Sequence, residues 1–413
     1  MDPTTIRLGL DAMRAVCETL GRPQLETPTV LIAGTNGKGS TASMLEAIAR
    51  RAGLRTGLFH SPALGDEHEQ IRLNGDAIAV DHFAELREEV ERAATETGDE
   101  LTAFETTTAV AFLAFAQSDL DLAIVEVGLG GARDATNVAE PVASVLTTVD
   151  FDHQRFLGTT LASIAREKAG VFRRRRPAVI GYVRGPALRA ARQEAEMIGA
   201  RVINARSRVR ALDPSFEVAG PIQLETEIGR YRFELALRGE HQVRNAAVAI
   251  LTAEALAARF PRLDRAAIEA GVGAAFAPGR LEEINRGGHR FLLDTAHNPA
   301  AAAALASHLR SLPERPDLLF GAFADKDHQG MLEALRPVVG RLLLTPIEHQ
   351  RSWTAATLRD AADAFGGEVM VSPAAGLAEA RDAATMLVAG STRLVGDVRR
   401  RLREPATYHA AGG

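Results

Sequence analysis

The sequence predicts an α/β protein: a doubly wound, mostly parallel sheet built on a phosphate-binding P-loop, carrying a small β appendage and followed by a smaller Rossmann-like α/β domain. Three observations predict this. A glycine-rich run, Gly34-Thr35-Asn36-Gly37-Lys38-Gly39-Ser40, sits between an apolar strand pattern and a helical one. Short apolar runs then alternate with amphipathic stretches, as in parallel strands joined by helical crossovers. The same alternation resumes after a turn-rich segment, in a chain whose 413 residues exceed what one hydrophobic core usually serves.

The first strand is read from Thr29 to Ala33 and delivers the chain to the glycine run. Glycines let backbone N–H groups close around phosphate oxygens, and the following helix presents its positive end. Lys38 adds a point charge, and the Ser40 hydroxyl can hold Mg²⁺. The run departs from the common P-loop, because Gly39 separates the lysine from the serine and only two residues lie between Gly34 and Gly37. From Ser40 to Ala52, residues Ala42, Met44, Leu45, Ile48 and Ala49 recur at helical spacing, and Gly53 supplies a stop.

Further strands are expected at Thr56 to Phe59, Leu122 to Val127, Val142 to Val149 and Pro177 to Tyr182, with helices at Asp81 to Thr97, Thr106 to Gln117 and Leu161 to Phe172. Between Val202 and Leu237 the period changes. Tyr231, Phe233, Leu235 and Leu237 alternate with Arg232, Glu234 and Ala236, which predicts antiparallel strands with one wet face. Helix returns at Asn245 to Ala258, and Ala277-Pro278-Gly279-Arg280 reads as a turn or linker. The expected domains are therefore 1–279 and 280–413. In the second, strands are expected at Phe291 to Asp294, Leu318 to Phe323, Arg341 to Pro346, Glu368 to Ser372 and Arg393 to Val395. Ligands of open α/β sheets bind at the carboxyl ends of strands, so two such domains predict a cleft.

Composition narrows the function classes. Apolar residues make up 46% and charged ones 24%, and the net charge of −5 offers no positive field for a nucleic-acid backbone or an anionic membrane. No apolar run approaches the roughly 20 residues needed to span a bilayer. Cys17 is the only cysteine, and nothing at the N-terminus directs export, so a cytoplasmic protein is expected. The basic run Arg173 to Arg176 reads as a solvated turn, Cys17 as a buried small side chain, and Trp353 as an amphipathic anchor without a motif.

Several polar residues stand where chemistry is done. Glu126 ends an apolar run, where a carboxylate is costly to bury without a cation or donor. A glycine-rich stretch and Asp134-Ala135-Thr136-Asn137 follow it, and an acid at a strand end beside a P-loop is placed to bind Mg²⁺. Asp150-Phe151-Asp152-His153 follows another strand, and Arg166-Glu167-Lys168-Ala169-Gly170 closes the next helix. A lone histidine there is usually structural, and a lysine near a helix end usually complements the dipole. In the second domain, Asp294-Thr295-Ala296-His297-Asn298-Pro299 follows a strand, and His297 could reach a cleft or cap the next helix.

These motifs, taken in order, resemble the folylpolyglutamate synthase/dihydrofolate synthase family of the Mur ligase superfamily. The series runs from the glycine loop through Ser61-Pro62, Glu69 to Gly75, Phe104-Glu105-Thr106, Glu126 to Gly131 with Asp134 to Asn137, Asp152-His153, Arg166 to Gly170, Gly239 to Gln242 with Asn245, Pro278 to Arg280, Asp294 to Pro299, and Asp325-Lys326-Asp327. The chain departs from the family at Ala63, at His68 and at Ala132-Arg133, and its Gly390 to Asp397 stretch, which resembles the family's closing strand, lacks the usual aromatic residue.

The resemblance implies roles at matching positions. Gly34 to Ser40, Asn245, Arg280, Asp294 and His297 would hold ATP. Ser40, Ser61, Glu126 and His153 would hold Mg²⁺, supported by Lys168 as its N-carboxylated (carbamylated) form. Lys38, Glu126, His153, Lys168 and His297 would serve catalysis. Phe104 and the segment from Ser61 to Gly75, together with Asp134 and Ala135, would receive the pteroate or folate, and the second domain would be the glutamate-ligase domain. The implied reaction is ATP-dependent joining of L-glutamate through an acyl phosphate, by a monomer whose partners are small molecules, neither nucleic acid nor membrane. The alternatives are a Mur-type ligase acting on another carboxylate, and a nucleotide-binding protein without turnover.

Overall fold

The computed structural model describes residues 9–211, 220–381 and 384–404, and the chain divides into two compact units between Ala277 and Pro278. The first unit contains β1 (Thr29–Ala33), β2 (Thr56–Phe59), β3 (Ile71–Leu73), β4 (Asp76–Ala77), β5 (Leu122–Glu126), β6 (Ala143–Leu146), β7 (Pro177–Ile180) and β8 (Arg201–Asn204). They form one sheet in the order β4-β3-β2-β5-β1-β6-β7-β8. From β2 to β8 along that order neighbouring strands are parallel, and antiparallel β3 and β4 close one edge.

Strand β1 shows why the sheet is covered on both sides. Val30 and Ile32 point into a core shared with helices Lys38–Arg51, Glu240–Leu256 and Arg265–Ala274. Leu31 and Ala33 point into another core with helices Asp11–Thr19, Val80–Thr97, Ala103–Gln117, Leu161–Ala169 and Gly185–Ile198. Alternate side chains of one strand face opposite sides, so a doubly covered strand must be apolar throughout. The chain leaves β1 toward β2 and later fills β6 to β8 on the other flank, which makes β1 the switch point where a crevice opens. Cys17 is buried in the second of these cores, and desolvation pushes its thiol up to about 12.

The β appendage is a three-stranded antiparallel ribbon of β9 (Arg210–Ala211), β10 (Ile222–Glu225) and β11 (Arg230–Phe233), ordered β11-β10-β9. Tyr231 and Phe233 are buried and Arg230 and Arg232 exposed, as the alternation predicts. The strand stops at Phe233, before Leu235 and Leu237, and residues 212–219 of the expected segment lie outside the described residues. The Tyr231 hydroxyl donates to Glu254 at 2.8 Å, and the Thr226 hydroxyl donates to the same oxygen, fixing the ribbon to helix Glu240–Leu256.

The second unit holds β12 (Arg280–Arg286), β13 (His289–Asp294), β14 (Asp317–Phe320), β15 (Leu342–Leu344), β16 (Glu368–Val369) and β17 (Thr385–Ala389). Their order is β12-β13-β17-β14-β15-β16, parallel except for β12. One expectation fails here, and one in the first unit holds only in part. Arg393 to Val395 is not a strand but lies in helix Thr392–Arg403, which Ser391 caps and which buries Leu394, Val395, Val398 and Leu402 at helical spacing. The strand in its place is the preceding run, β17. Arg173 also departs from the solvated-turn reading: its guanidinium donates to Asn137 Oδ1 at 2.9 Å and to the Ala139 carbonyl at 3.0 Å, while Arg174, Arg175 and Arg176 are exposed. Trp353 is buried against Phe320 and His328. Among the described residues no helix is long and apolar enough to cross a membrane.

Within this unit Glu282 is buried, and its carboxylate receives Arg399 Nε at 3.0 Å, Arg403 Nη2 at 2.8 Å and the Gly279 N–H at 2.8 Å. Removing one partner of a buried pair leaves an uncompensated charge. Arg399→Met should therefore destabilise the second unit by about 3 kcal/mol, the lower end for a broken buried pair because Arg403 remains. Denaturant unfolding checks it: a midpoint equal to that of the unsubstituted protein would show that Arg399 contributes nothing.

Candidate active site

Strand β1 ends at Ala33 and helix Lys38–Arg51 begins at Lys38, so Gly34 to Gly37 form the loop between them. Gly37 adopts φ 84°, and a Cβ there would collide with Asn245 Oδ1 from helix Glu240–Leu256. Both facts require glycine. The loop backbone is fixed by residues that follow β6. Thr147 Oγ1 donates to the Asn36 carbonyl at 2.7 Å, and Thr148 Oγ1 accepts from the Asn36 N–H at 3.0 Å. Thr35 Oγ1 donates to the Asp150 carbonyl at 3.2 Å and accepts from its N–H at 3.0 Å. The helix N-terminus that remains, with Ser40 buried in its first turn, is an anion-binding end.

Around this loop the expected charged residues converge. Lys38 Nζ donates to the Thr35 carbonyl at 3.2 Å and stands 3.9 Å from Glu126 Oε1. Glu126 is buried at the end of β5, and its Oε2 accepts from the Ser61 N–H at 3.4 Å. A Cβ on Gly39 would lie only 3.2 Å from the same oxygen, so a side chain there would require the carboxylate to shift by a few tenths of an ångström. Lys168 Nζ, buried at the end of helix Leu161–Ala169, donates to the Gly34 carbonyl at 3.1 Å. Burial first, and the Lys38 ammonium second, pull the Lys168 ammonium down to about 7.

Among the described residues no three His, Cys, Asp or Glu side chains stand together as a metal cage. The donors expected here are hydroxyls, one carboxylate and one imidazole. Such a set fits Mg²⁺, which keeps water and phosphate oxygens around it and takes only a few protein ligands.

A pocket of about 330 Å³ brings together Ser61, Phe104, Asp134, Ala135 and His153. Phe104 packs near Phe59 with ring centroids 6.0 Å apart. Asp134 is committed to its own loop, accepting from Leu129 N–H at 2.7 Å, Thr136 N–H at 3.0 Å and Thr136 Oγ1 at 2.6 Å. Burial nonetheless pushes its carboxyl up. His153 adopts φ 49° and its Nε2 lies 3.8 Å from Asp152 Oδ1. Glu67 and Gln70, which lie in the Ser61 to Gly75 segment but were not singled out by the resemblance, also line the pocket, as does Thr107, which sequence reasoning missed. In Asp66-Glu67-His68-Glu69 no periodicity singles out the acid that faces inward.

In the second unit Asp294 ends β13, and its buried carboxylate accepts from the Leu281 N–H at 3.1 Å and the Ala296 N–H at 2.9 Å. Desolvation pushes it up, and the nearby Arg280 guanidinium opposes the shift. The cap of helix Pro299–Leu309 is Asn298, which accepts from the Ala301 N–H at 2.9 Å, so His297 is not the capping residue. His297 Nδ1 instead lies 3.0 Å from the Thr295 carbonyl.

The P-loop unit and the parallel α/β unit that follows it each match a family of the Mur ligases, which gives the class. The Mur ligase middle domain family matches residues 32–253, and the Mur ligase, glutamate ligase domain family matches residues 279–395. The chain is 36% identical over 411 residues to the dihydrofolate synthase/folylpolyglutamate synthase of Mycobacterium tuberculosis, covering 93% of this chain and 84% of that one. E. coli FolC in complex with DHPP and ADP superposes with a TM-score of 0.85 at 33% identity, covering 97% and 94%. A bifunctional folylpolyglutamate synthase/dihydrofolate synthase with Mn, AMPPNP and L-glutamate bound gives 0.84 at 29% identity, covering 97% and 95%. This chain belongs to the folylpolyglutamate synthase/dihydrofolate synthase family.

The position of Lys168 predicts a pH-dependent stability. Its ordinary value is 10.5, and in the folded chain it is about 7. Between those values the unfolded chain holds the proton and the folded chain does not, so stability rises with pH across that window and is lowest below it. In CO₂-free buffer, the stability of the unsubstituted protein relative to Lys168→Met should therefore increase from pH 7 to pH 9.5, read from denaturant midpoints. A difference that stays flat would mean that the amine titrates normally.

Proposed function

We propose that this chain is an ATP-dependent ligase that joins L-glutamate to dihydropteroate, to the glutamate tail of tetrahydrofolate, or to both, releasing ADP and phosphate. The observation that carries the reading is the convergence of Lys38, Glu126 and Lys168 on one phosphate loop, with Ser61 linking Glu126 to an adjoining pocket. A carboxylate is a poor electrophile in water, so the γ-phosphoryl group is first transferred to it, giving an acyl phosphate. The glutamate amine then displaces phosphate.

The N–H groups at the start of helix Lys38–Arg51 and the Lys38 ammonium bind the triphosphate. Ser40, Ser61, Glu126 and His153 would hold Mg²⁺, which when bound would offset the repulsion between two anions and stabilise the charge on the transferring phosphoryl group. Phe104, Asp134 and Ala135 shape the pocket that orients the substrate head, and holding both reactants in place supplies much of the acceleration. Asn245 completes the nucleotide site within residues 1–279, residues 280–413 serve the incoming glutamate, and the family resemblance also assigns Arg280, Asp294 and His297 to the nucleotide. The enzyme works on small molecules as a cytoplasmic monomer.

Lys168 acts as a carbamate in this reading. A neutral amine adds CO₂ and loses a proton, which turns a buried cation into an anion able to support the metal site. Its low folded value, about 7, supports this by leaving much of the amine neutral at physiological pH.

The deciding assay measures ADP release with ATP, Mg²⁺, L-glutamate and either dihydropteroate or tetrahydrofolate, with the product weighed by mass spectrometry. Pterin-dependent ADP release with addition of one glutamate is expected, and its absence rejects the assignment. Lys168→Ala should lower turnover by about 10–100-fold, the usual cost of removing a residue that supports a metal site. ¹³C NMR in labelled bicarbonate should show a carbamate carbon that this substitution abolishes; an identical spectrum in both proteins removes the carbamate.

A further inference from the structure

Among the described residues three carboxylates line the pocket, and no lysine or arginine does. Such a wall disfavours anionic groups and suits a head rich in N–H donors. Two of the three carboxylates have local work. Asp134 accepts from its own loop, and Glu105 Oε2 receives both the N–H and the hydroxyl of Thr102 at 2.8 Å in the capping box of helix Ala103–Gln117.

Glu67 is held differently. Its Oε2 receives Arg87 Nη1 at 2.7 Å from helix Val80–Thr97, and its Oε1 receives the Thr107 hydroxyl from helix Ala103–Gln117. Arg87 is steadied in turn by Glu91, which accepts from its Nε at 2.9 Å. Each oxygen thus gives one lone pair to the protein. An ionised carboxylate offers about four acceptor positions, so one further position per oxygen is left for donors. The side chain is 34% exposed, consistent with a group that faces an open pocket rather than a sealed core.

We propose that Glu67 is a specificity-determining residue of the pocket, accepting two adjacent N–H donors from the aminopyrimidine edge of the pteridine head, and that Arg87 and Thr107 are positioning residues acting through it. An exocyclic amine beside a ring N–H presents two parallel donors to the two carboxylate oxygens, the bidentate geometry that gives orientation as well as strength. The inference rests on the ligase reading above for the nature of the head. It adds the residue that selects it.

The experiment compares dihydropteroate with its 2-desamino analogue, which lacks one donor. A site built around a donor rejects the analogue without it, because its own acceptor is left unpaired. The unsubstituted protein should prefer dihydropteroate by at least about tenfold in kcat/KM. Glu67→Ala should raise the KM for dihydropteroate, leave that for ATP unchanged and erase the preference. Arg87→Met and Thr107→Val should each raise the pterin KM several-fold without altering kcat, and Arg87→Lys should recover part of the loss. An ADP-binding titration of each variant verifies that the fold is intact. Discrimination that survives Glu67→Ala, or a pterin KM that does not move, overturns the inference while leaving the ligase reading in place. If the unsubstituted protein shows no pterin-dependent turnover, the ligase reading and this inference both fall.

Discussion

A buried lysine amine donating to the Gly34 carbonyl ties the phosphate loop to a helix 134 residues further along the chain. A helix end that must reach that carbonyl has little freedom, and the segments packed on it inherit the constraint. The Ala132 N–H donates to the Glu167 carbonyl at 2.8 Å, and Asn137 Nδ2 reaches the Ala132 and Gly170 carbonyls at 3.0 and 3.3 Å. Gly131 lies so close to the Lys168 carbonyl that a side chain there would collide with it. The glycine-rich stretch after β5 and the helix bearing Lys168 are therefore one packed body, and Arg173 locks its far side by donating to Asn137 and Ala139.

The cost of that arrangement is electrostatic. Lys38 and Lys168 lie near one another, and among the described residues only Lys38 has a carboxylate within ion-pair distance, Glu126 at 3.9 Å. Burial resolves the conflict by favouring loss of the Lys168 proton. A nucleotide-binding loop backed by an amine that burial favours as neutral is a different object from one backed by a permanent ammonium, because the neutral form has a nucleophilic lone pair.

Much of the fold was legible because buried parallel strands must be apolar on both faces. Runs such as Leu122 to Glu126 and Pro177 to Ile180 stand out in the sequence for that reason. Edge strands were not legible: β3, β4 and β12 carry Arg72, Asp76, Glu283 and Asn285, whose polarity hides a strand with one wet side. At the close of the second unit two short apolar runs compete, and tertiary packing with the Ser391 cap makes the first a strand and the second a helix. In the site, Glu126 was readable from its place at the end of an apolar strand, whereas His153 and Lys168 read as structural by position alone and entered only through the family resemblance. Arg173 was masked by three exposed arginines beside it. Glu67 was masked because its importance depends on Arg87 and Thr107, 20 and 40 residues away, which no local pattern joins to it.

The close approach of Gly39 to Glu126 has a consequence for anyone who wishes to transplant parts between nucleotide enzymes. The tight fit belongs to the acid as much as to the loop. Replacing this loop with the commoner arrangement, in which the serine or threonine directly follows the lysine, would import a β-carbon at position 39 and require the Glu126 carboxylate to give by a few tenths of an ångström. The position of that acid is therefore part of any exchange of the loop.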